Sequence, residues 1–181
     1  MYGSQYSIQN GYGNWAGGYL DVNGSGCDGN VLCVSTSTLV DRDQGSGTWV
    51  IESVNPGLNG TPVRCNDKIY LRNIYGGGGT YLDVRNNAAT CPQNLFNVST
   101  ASGSDRDSGS GTWIIMPQTC GPTGTVEANV PVHLINCYAN GNGGFLDVCG
   151  SGCAGDLYCV STSGQFNRDA GSSLWRLNPS S

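Results

Sequence analysis

Three copies of one phrase fill this chain, and that repetition limits the possible folds more than anything else in the sequence. The phrase reads YLDVNGSGCDGNVLCVSTSTLVDRDQGSGTWVI from Tyr19. It returns as YLDVRNNAATCPQNLFNVSTASGSDRDSGSGTWII from Tyr81 and as FLDVCGSGCAGDLYCVSTSGQFNRDAGSSLWRL from Phe145. Leu-Asp-Val, Val-Ser-Thr, Arg-Asp and a Trp recur in that order. Leu20, Leu82 and Leu146 are 62 and 64 residues apart, and Trp49, Trp113 and Trp175 are 64 and 62 apart. A fixed period of this length marks a repeat architecture.

Each copy reads as four short strands. The first covers residues 6–10, 69–73 and 132–136, closing on Asn10, Asn73 and Asn136. A Gly-rich turn follows, because Gly reaches the positive φ that other residues resist. The second strand carries Leu-Asp-Val. Strand alternation sends Leu20 and Val22 inward, and Tyr19 and Asp21 outward. The third is Val-Ser-Thr, and the fourth begins at Thr48, Thr112 and Leu174. The Trp of each fourth strand is expected in the core. No capped apolar stripe of helical period interrupts the pattern, so the chain is all-β. Four short strands cannot bury an apolar face alone, so the three copies must share one core. The arrangement that achieves this is a closed barrel capped by hairpins, with pseudo-threefold symmetry and no open edges. The repeats span approximately 6–55, 68–118 and 131–178 of a single domain, 1–181, joined by loops over 56–67 and 117–129.

The formal net charge is -5, only 12% of residues are charged, and one Lys and seven Arg are scattered along the chain. Nucleic acid is bound by clustered Lys and Arg, so it is not an expected partner. Membrane insertion is not expected either, since no apolar run is long enough to span a bilayer. No cationic start followed by an apolar run is present, so no signal peptide is read in the chain. Nine Cys in 181 residues nevertheless point to an oxidising compartment, and so to a secreted or extracellular protein. The loop after each second strand holds Cys27, Cys91 or Cys153. Cys33 and Cys159 precede the Val of Val-Ser-Thr, which predicts Cys27–Cys33 and Cys153–Cys159 as loop staples. Cys137 and Cys149, within one hairpin, are a third expected pair. Cys91 is then free or bonded elsewhere, and the odd count leaves at least one thiol over. No paired C-x2-C zinc pattern occurs, so no metal and no cofactor are expected.

The first candidate site is the outward aromatic–Asp pair of each repeat: Tyr19 with Asp21, Tyr81 with Asp83, Phe145 with Asp147. A carboxylate accepts from two neighbouring hydroxyls of a sugar, and an aromatic ring covers its C–H face. Trp15, Asn23, Asn140 and Asn142 in nearby loops suit further polar contacts. The opposing reading is that each Asp caps a turn or pairs with the Arg of its own repeat. A second candidate, Asp41-Arg42-Asp43 with its counterparts at 105–107 and 167–169, begins like a calcium loop but lacks the later Glu. It reads as a turn in which Asp accepts backbone amides and Arg pairs with a carboxylate. His133 is read as a surface residue. Asn23, Asn59 and Asn97 begin N-glycan acceptor sequences.

Taken together, the copies resemble the β-trefoil families. Leu20-Asp21-Val22, Leu82-Asp83-Val84 and Leu146-Asp147-Val148 are similar to the sugar-meeting strand of ricin-type lectin domains. Ile69-Tyr70-Leu71-Arg72, leading through Gly to Tyr81-Leu82, is similar to fascin-type trefoils. Ricin-type repeats carry Gln two residues before the Trp, where this chain has Gly47, Gly111 and Ser173. The resemblance implies a β-trefoil and a non-enzymatic lectin with up to three related sites, one per repeat, binding glycans or glycoproteins. Two rivals stand beside it. One is a protein-binding trefoil, a protease inhibitor or toxin-associated module, using the 56–67 or 117–129 loop. The other is a glycoside hydrolase built on paired carboxyls.

Overall fold

The structure is a computed structural model that describes residues 1–25, 30–89, 91–151 and 156–180, without the side chains of residues 25, 86–88 and 151. Among these residues are twelve strands: β1 (Gln5–Asn10), β2 (Tyr19–Ser25), β3 (Leu32–Ser37), β4 (Thr48–Ser53), β5 (Lys68–Asn73), β6 (Thr80–Ala88), β7 (Asn94–Ala101), β8 (Trp113–Pro117), β9 (Pro131–Asn136), β10 (Gly144–Ser151), β11 (Tyr158–Ser163) and β12 (Trp175–Pro179).

The first and fourth strands of the repeats close a ring. β1 pairs with β4, β4 with β5, β5 with β8, β8 with β9, β9 with β12, and β12 returns to β1, all antiparallel. The second and third strands form the hairpins β2–β3, β6–β7 and β10–β11. The third strands then pair with one another, β3 with β7, β7 with β11 and β11 with β3, so the hairpins lock into a triangular cap. A six-stranded barrel under three hairpins is the β-trefoil arrangement, with its sheet edges paired rather than open.

The core follows strand alternation. Ile8, Leu20, Ile69, Leu71, Leu82, Ile115, Leu134 and Leu146 are fully buried. Trp49, Trp113 and Trp175 are buried as the sequence predicts. Each indole Nε1 donates to the carbonyl of Leu20, Leu82 or Leu146 in its own repeat, at 2.8, 3.0 and 2.8 Å. That bond removes the cost of burying the polar end of a large ring.

The invariant spacing of Asn10, Asn73 and Asn136 also has a structural cause. All three are completely buried. Each side-chain Oδ1 accepts the amide two residues on, at Tyr12, Tyr75 or Tyr138. Each Nδ2 donates to two carbonyls of the preceding repeat: Ser46 and Thr48 for Asn73, Ser110 and Thr112 for Asn136. Asn10 donates to Ser172 and Leu174 in the last repeat, closing the ring between the two ends of the chain.

The expected cysteine pairing needs one correction. Cys149 is bonded to Cys91 of the second repeat, and Cys137 is a free, half-buried thiol. β9 and β10 pair only at Asn136–Gly144 and Ile135–Phe145, so Cys137 sits in the turn between them. Cys149 lies further along β10, opposite Cys159, at the end that meets the neighbouring hairpin. Cys65 and Cys120 form a second cross-link, between the two loops that join repeats. An Arg64–Thr125 bridge runs beside it. Cys33 and Cys159 are disulfide-bonded; Cys27 and Cys153, their predicted partners, lie outside the described residues.

The Gly-rich turns after β1 and β9 take positive φ where expected, but not at Gly alone. Asn14, Trp15, Ala139 and Asn140 have φ of 61°, 70°, 53° and 59°. Asn adopts this region readily; for Trp15 and Ala139 it is uncommon and strained, so at those two positions the surrounding structure overrides local preference.

Candidate functional site

The outward aspartates are not exposed. Asp21, Asp83 and Asp147 each have 0% relative accessibility, which corrects the expectation that they meet solvent. Strand alternation does place them on the outer side of the hairpin. The Asp-Arg-Asp loop that follows β3, β7 or β11 then folds back over them. The amides of Val22, Val84 and Val148 donate to the carbonyls of Ser46, Ser110 and Ser172. The Ser hydroxyls donate to Asp21, Asp83 and Asp147 at 2.7, 2.6 and 2.7 Å. The Arg of the same loop completes each cage, Arg42 at 2.9 Å, Arg106 at 2.8 Å and Arg168 at 2.9 Å from the carboxylate. A carboxylate enclosed in this way has no room for a sugar hydroxyl. Its role is to fix the loop.

The first Asp of the loop acts in the turn, as read from sequence. Asp41 accepts the amides of Gly45 and Gly47, and Asp105 those of Gly109 and Gly111. The loop passes so near the fourth strand that a Cβ on Gly47 would lie 2.0 Å from the Val40 carbonyl oxygen, and one on Gly111 would lie 2.0 Å from that of Ser104. This approach explains why Gly stands two residues before the Trp in two repeats. In the third, Ser173 fits and its Oγ accepts the Asn167 amide.

The remaining predicted residues do not converge on one site. Tyr19, Tyr81 and Phe145 are half-buried on three separate faces. Trp15 lies under the Arg176 guanidinium, 4.4 Å from the ring centroid. Asn23 is directed inward, with Nδ2 donating to Ser35 and Asp156. Asn140 and Asn142 are exposed in the turn after β9, where Asn142 bonds the Ala139 carbonyl. His133 is 1% exposed, a correction to its surface assignment. It is buried because Phe166 closes over it, the two rings 4.2 Å apart.

What the structure brings together is a cleft of about 250 Å³ in the third repeat, lined by Tyr12, Val148, Cys149, Gly150, Tyr158, Arg168 and Asp169. Tyr158 on β11 and Tyr12 from the turn after β1 meet edge to face at 5.4 Å. Arg168 runs from the buried Asp147 to the cleft wall, where its Nη1 is 2.7 Å from Asp169. Its Nε is buried with no hydrogen-bond partner. The site therefore has aromatic walls, a fixed guanidinium and a carboxylate that is 54% exposed. The same positions in the second repeat carry Phe96 and Tyr138, also edge to face at 5.4 Å, with Arg106. The first repeat has Leu32 at the place of Tyr158, and its Arg42 is engaged by Asp156 of the third repeat.

Sequence reading missed Tyr12, Tyr158 and Arg168 as neighbours. Tyr158 falls where the other copies have Leu32 and Phe96, and Tyr12 belongs to a different repeat. A recurrent large apolar residue before Val-Ser-Thr was the available signal.

No family model matches the chain, and no curated protein matches it. Solved structures do. A Caenorhabditis elegans protein of unknown function is 18% identical, with TM-score 0.74 over 98% of this chain and 94% of that one. The SDF2-like protein of Arabidopsis thaliana is 16% identical, with TM-score 0.69 over 97% and 92%. The botulinum neurotoxin serotype D binding domain is 14% identical, with TM-score 0.65 over 99% of this chain and 42% of that one. At such identities the likeness is one of fold, and the fold is the β-trefoil.

Proposed function

We propose that this β-trefoil protein is a carbohydrate-binding protein without catalytic activity, and that the cleft of the third repeat receives the sugar. The observation that carries the reading is the pairing of the Tyr12 and Tyr158 rings with Arg168 and Asp169 around one opening. A pyranose presents an apolar C–H face and a rim of hydroxyls. Tyr rings cover the first. Asp169 accepts from the second and Arg168 donates to it. The volume of about 250 Å³ falls just below the roughly 300–1,000 Å³ of small-molecule sites, which suits one sugar ring better than an extended ligand.

The buried aspartates support a binding rather than a hydrolytic role. Each is bonded to Ser and neutralised by Arg, so none is placed as an acid or base beside an open cleft. The two cross-links, Cys65–Cys120 and Cys91–Cys149, favour an oxidising, secretory setting. No helix among the described residues is long and apolar enough to cross a membrane.

The test is a glycan array on the purified protein, followed by titration of a hit against Tyr158→Ala and Asp169→Asn. Both substitutions should weaken binding tenfold or more while the thermal melt of Asp169→Asn stays unchanged. A binding constant untouched by both would remove the cleft as the site. One observation favours the protein-binding alternative: Cys65–Cys120 clamps the two inter-repeat loops into a rigid, largely exposed pair. Capture of a protein partner that is lost on alanine substitution across residues 57–62, with no glycan bound, would establish that reading instead.

A further inference from the structure

The three outer faces of the barrel occupy equivalent positions but differ in chemistry, and the difference singles out the second. Each face sets an aromatic residue against a cross-strand partner: Tyr19 opposite Gln9, Tyr81 opposite Arg72, Phe145 opposite Ile135. On the first face the cation meets an amide and an indole in place of a carboxylate. Gln9 accepts two bonds from Arg176, and the same guanidinium covers Trp15. The third face is apolar, a cluster of Phe145, Phe166 and His133 rings. Met116 stands opposite His133 where the second face has Glu52 opposite Tyr70.

The second face combines rings with charge, and both stay open to water. Tyr70 and Tyr81 meet edge to face at 6.2 Å. Arg72 Nε donates to Glu52 Oε1 at 2.6 Å, and the Tyr81 hydroxyl donates to Glu52 Oε2 at 3.3 Å. The side chains of Arg72 and Glu52 remain 31% and 27% exposed. Gly79 lies close over the arginine: a Cβ there would come 2.9 Å from Arg72 Cδ and 3.0 Å from Nη1. Only Gly leaves room for the guanidinium here, and its bond to Glu52 orients it. Beside it Gly76, Gly77 and Gly78 have no atoms of the described residues where a side chain would stand, so these three positions add no side chain over the patch.

We infer that this face is a second carbohydrate-binding surface, taking a neutral pyranose with its C–H face on Tyr81 and Tyr70 and adjacent hydroxyls shared between Glu52 and Arg72. A hydroxyl both donates and accepts, so two neighbouring hydroxyls match a carboxylate and a guanidinium side by side. The pair is already oriented by its own ion pair, so less ordering is needed on binding. The inference rests on the carbohydrate-binding reading above and adds a site on a different repeat. A protein with two such sites gains avidity for a glycan-coated surface beyond either alone.

The experiment is an amide NMR titration with methyl β-galactopyranoside and, separately, methyl α-mannopyranoside. It uses the intact protein, Glu52→Gln, Tyr81→Ala and Tyr158→Ala. At least one glycoside is expected to shift the amides of Gly77, Gly79 and Leu82 saturably. Glu52→Gln, close in shape to the original, should weaken that titration about tenfold, in line with loss of a charge-assisted hydrogen bond. Tyr81→Ala should abolish it, and Tyr158→Ala should leave it intact. Shifts confined to Val148–Gly150 would overturn the second surface and leave the cleft standing. Shifts at Gly77 and Gly79 that are unchanged in both Glu52→Gln and Tyr81→Ala would overturn it as well. Silence of both regions with both glycosides would overturn the two readings together.

Discussion

Asp21, Asp83 and Asp147 show how a residue that looks like a ligand from its strand position serves the fold instead. Each anchors a loop through one Ser and one Arg, with no access to solvent. Removing one member of such a pair leaves the other charge short of a partner, at a cost of about 3–5 kcal/mol when both are buried. Arg106 is 40% exposed, which places Asp83→Ala near the lower figure. Urea unfolding should therefore show Asp83→Ala less stable by about 3 kcal/mol. An unchanged midpoint would mean that the cage contributes nothing.

Asp21 and its neighbour Asp156 titrate in opposite senses. Burial pushes Asp21 up to about 6; Ser46 and Arg42 oppose the rise, and nearby Asp156 adds to it. Asp21 Oδ1 lies 2.9 Å from Arg42 Nη2, near enough for an ion pair but off the hydrogen-bonding direction. An unfolded Asp titrates near about 4. Folding therefore takes up a proton at this site between about pH 4 and about 6. The stability that Asp21 contributes is complete below about 4 and is lost as the pH rises through about 6. Asp156 behaves oppositely. Burial pushes it up, but hydrogen bonds from Ser35, Asn23 and Arg42 outweigh that and hold it below its ordinary value. Its contribution is present above about pH 4 and is lost as the pH falls through its lowered value. Carboxyl NMR should give Asp21 a midpoint near 6, and Asp156→Asn should lower it by removing a like charge. A midpoint near 4 in both proteins would contradict the burial argument.

At the level of elements, the hairpin tips join the repeats. Asn30 before β3 donates to Ser99 on β7, Asn94 at the start of β7 donates to Ser161 on β11, and Asp156 before β11 accepts from Ser35 on β3. The tip residue is Asn twice and Asp once, so the corner with Arg42 alone carries an added carboxylate. The inter-repeat loops are joined covalently. Cys65–Cys120 closes a segment with a sequence separation of 55, and a cross-link of that span stabilises by about 2–4 kcal/mol. Replacing both cysteines by Ser should lower the unfolding free energy by that amount, with the barrel spectrum retained. A loss of the folded state outright, or no loss at all, would show that the loops do more or less than restrain the chain.

Across the whole molecule, the Asn10, Asn73 and Asn136 bonds stitch each repeat to the one before it, and Asn10 ties the last repeat to the first. Asn10→Ala would leave the Tyr12 amide without its acceptor, at about 1–3 kcal/mol, and take one of two donors from each of the Ser172 and Leu174 carbonyls, at about 1 kcal/mol apiece. Some of that is recovered by water, so a loss of about 3 kcal/mol is expected. It should appear in a single cooperative urea transition. Two separated transitions would mean that the repeats do not share one folding unit.

The repeat period, the alternation of apolar residues and the Gly-bounded turns determined the all-β trefoil from sequence alone, because each repeat exposes an apolar face that only its copies can cover. The core Trp residues were legible from their size and strand setting, and the turn role of Asp41 and Asp105 because their amide partners lie close in the chain. Tertiary structure decided which surfaces face solvent. Asp83 is hidden by a loop that returns more than twenty residues later, Cys149 finds Cys91 in another repeat, and Tyr158 meets Tyr12 across the closure of the chain. Strand period specifies the side of a sheet on which a residue lies. It carries no information about what later folds over that side, and access to a ligand depends on the latter.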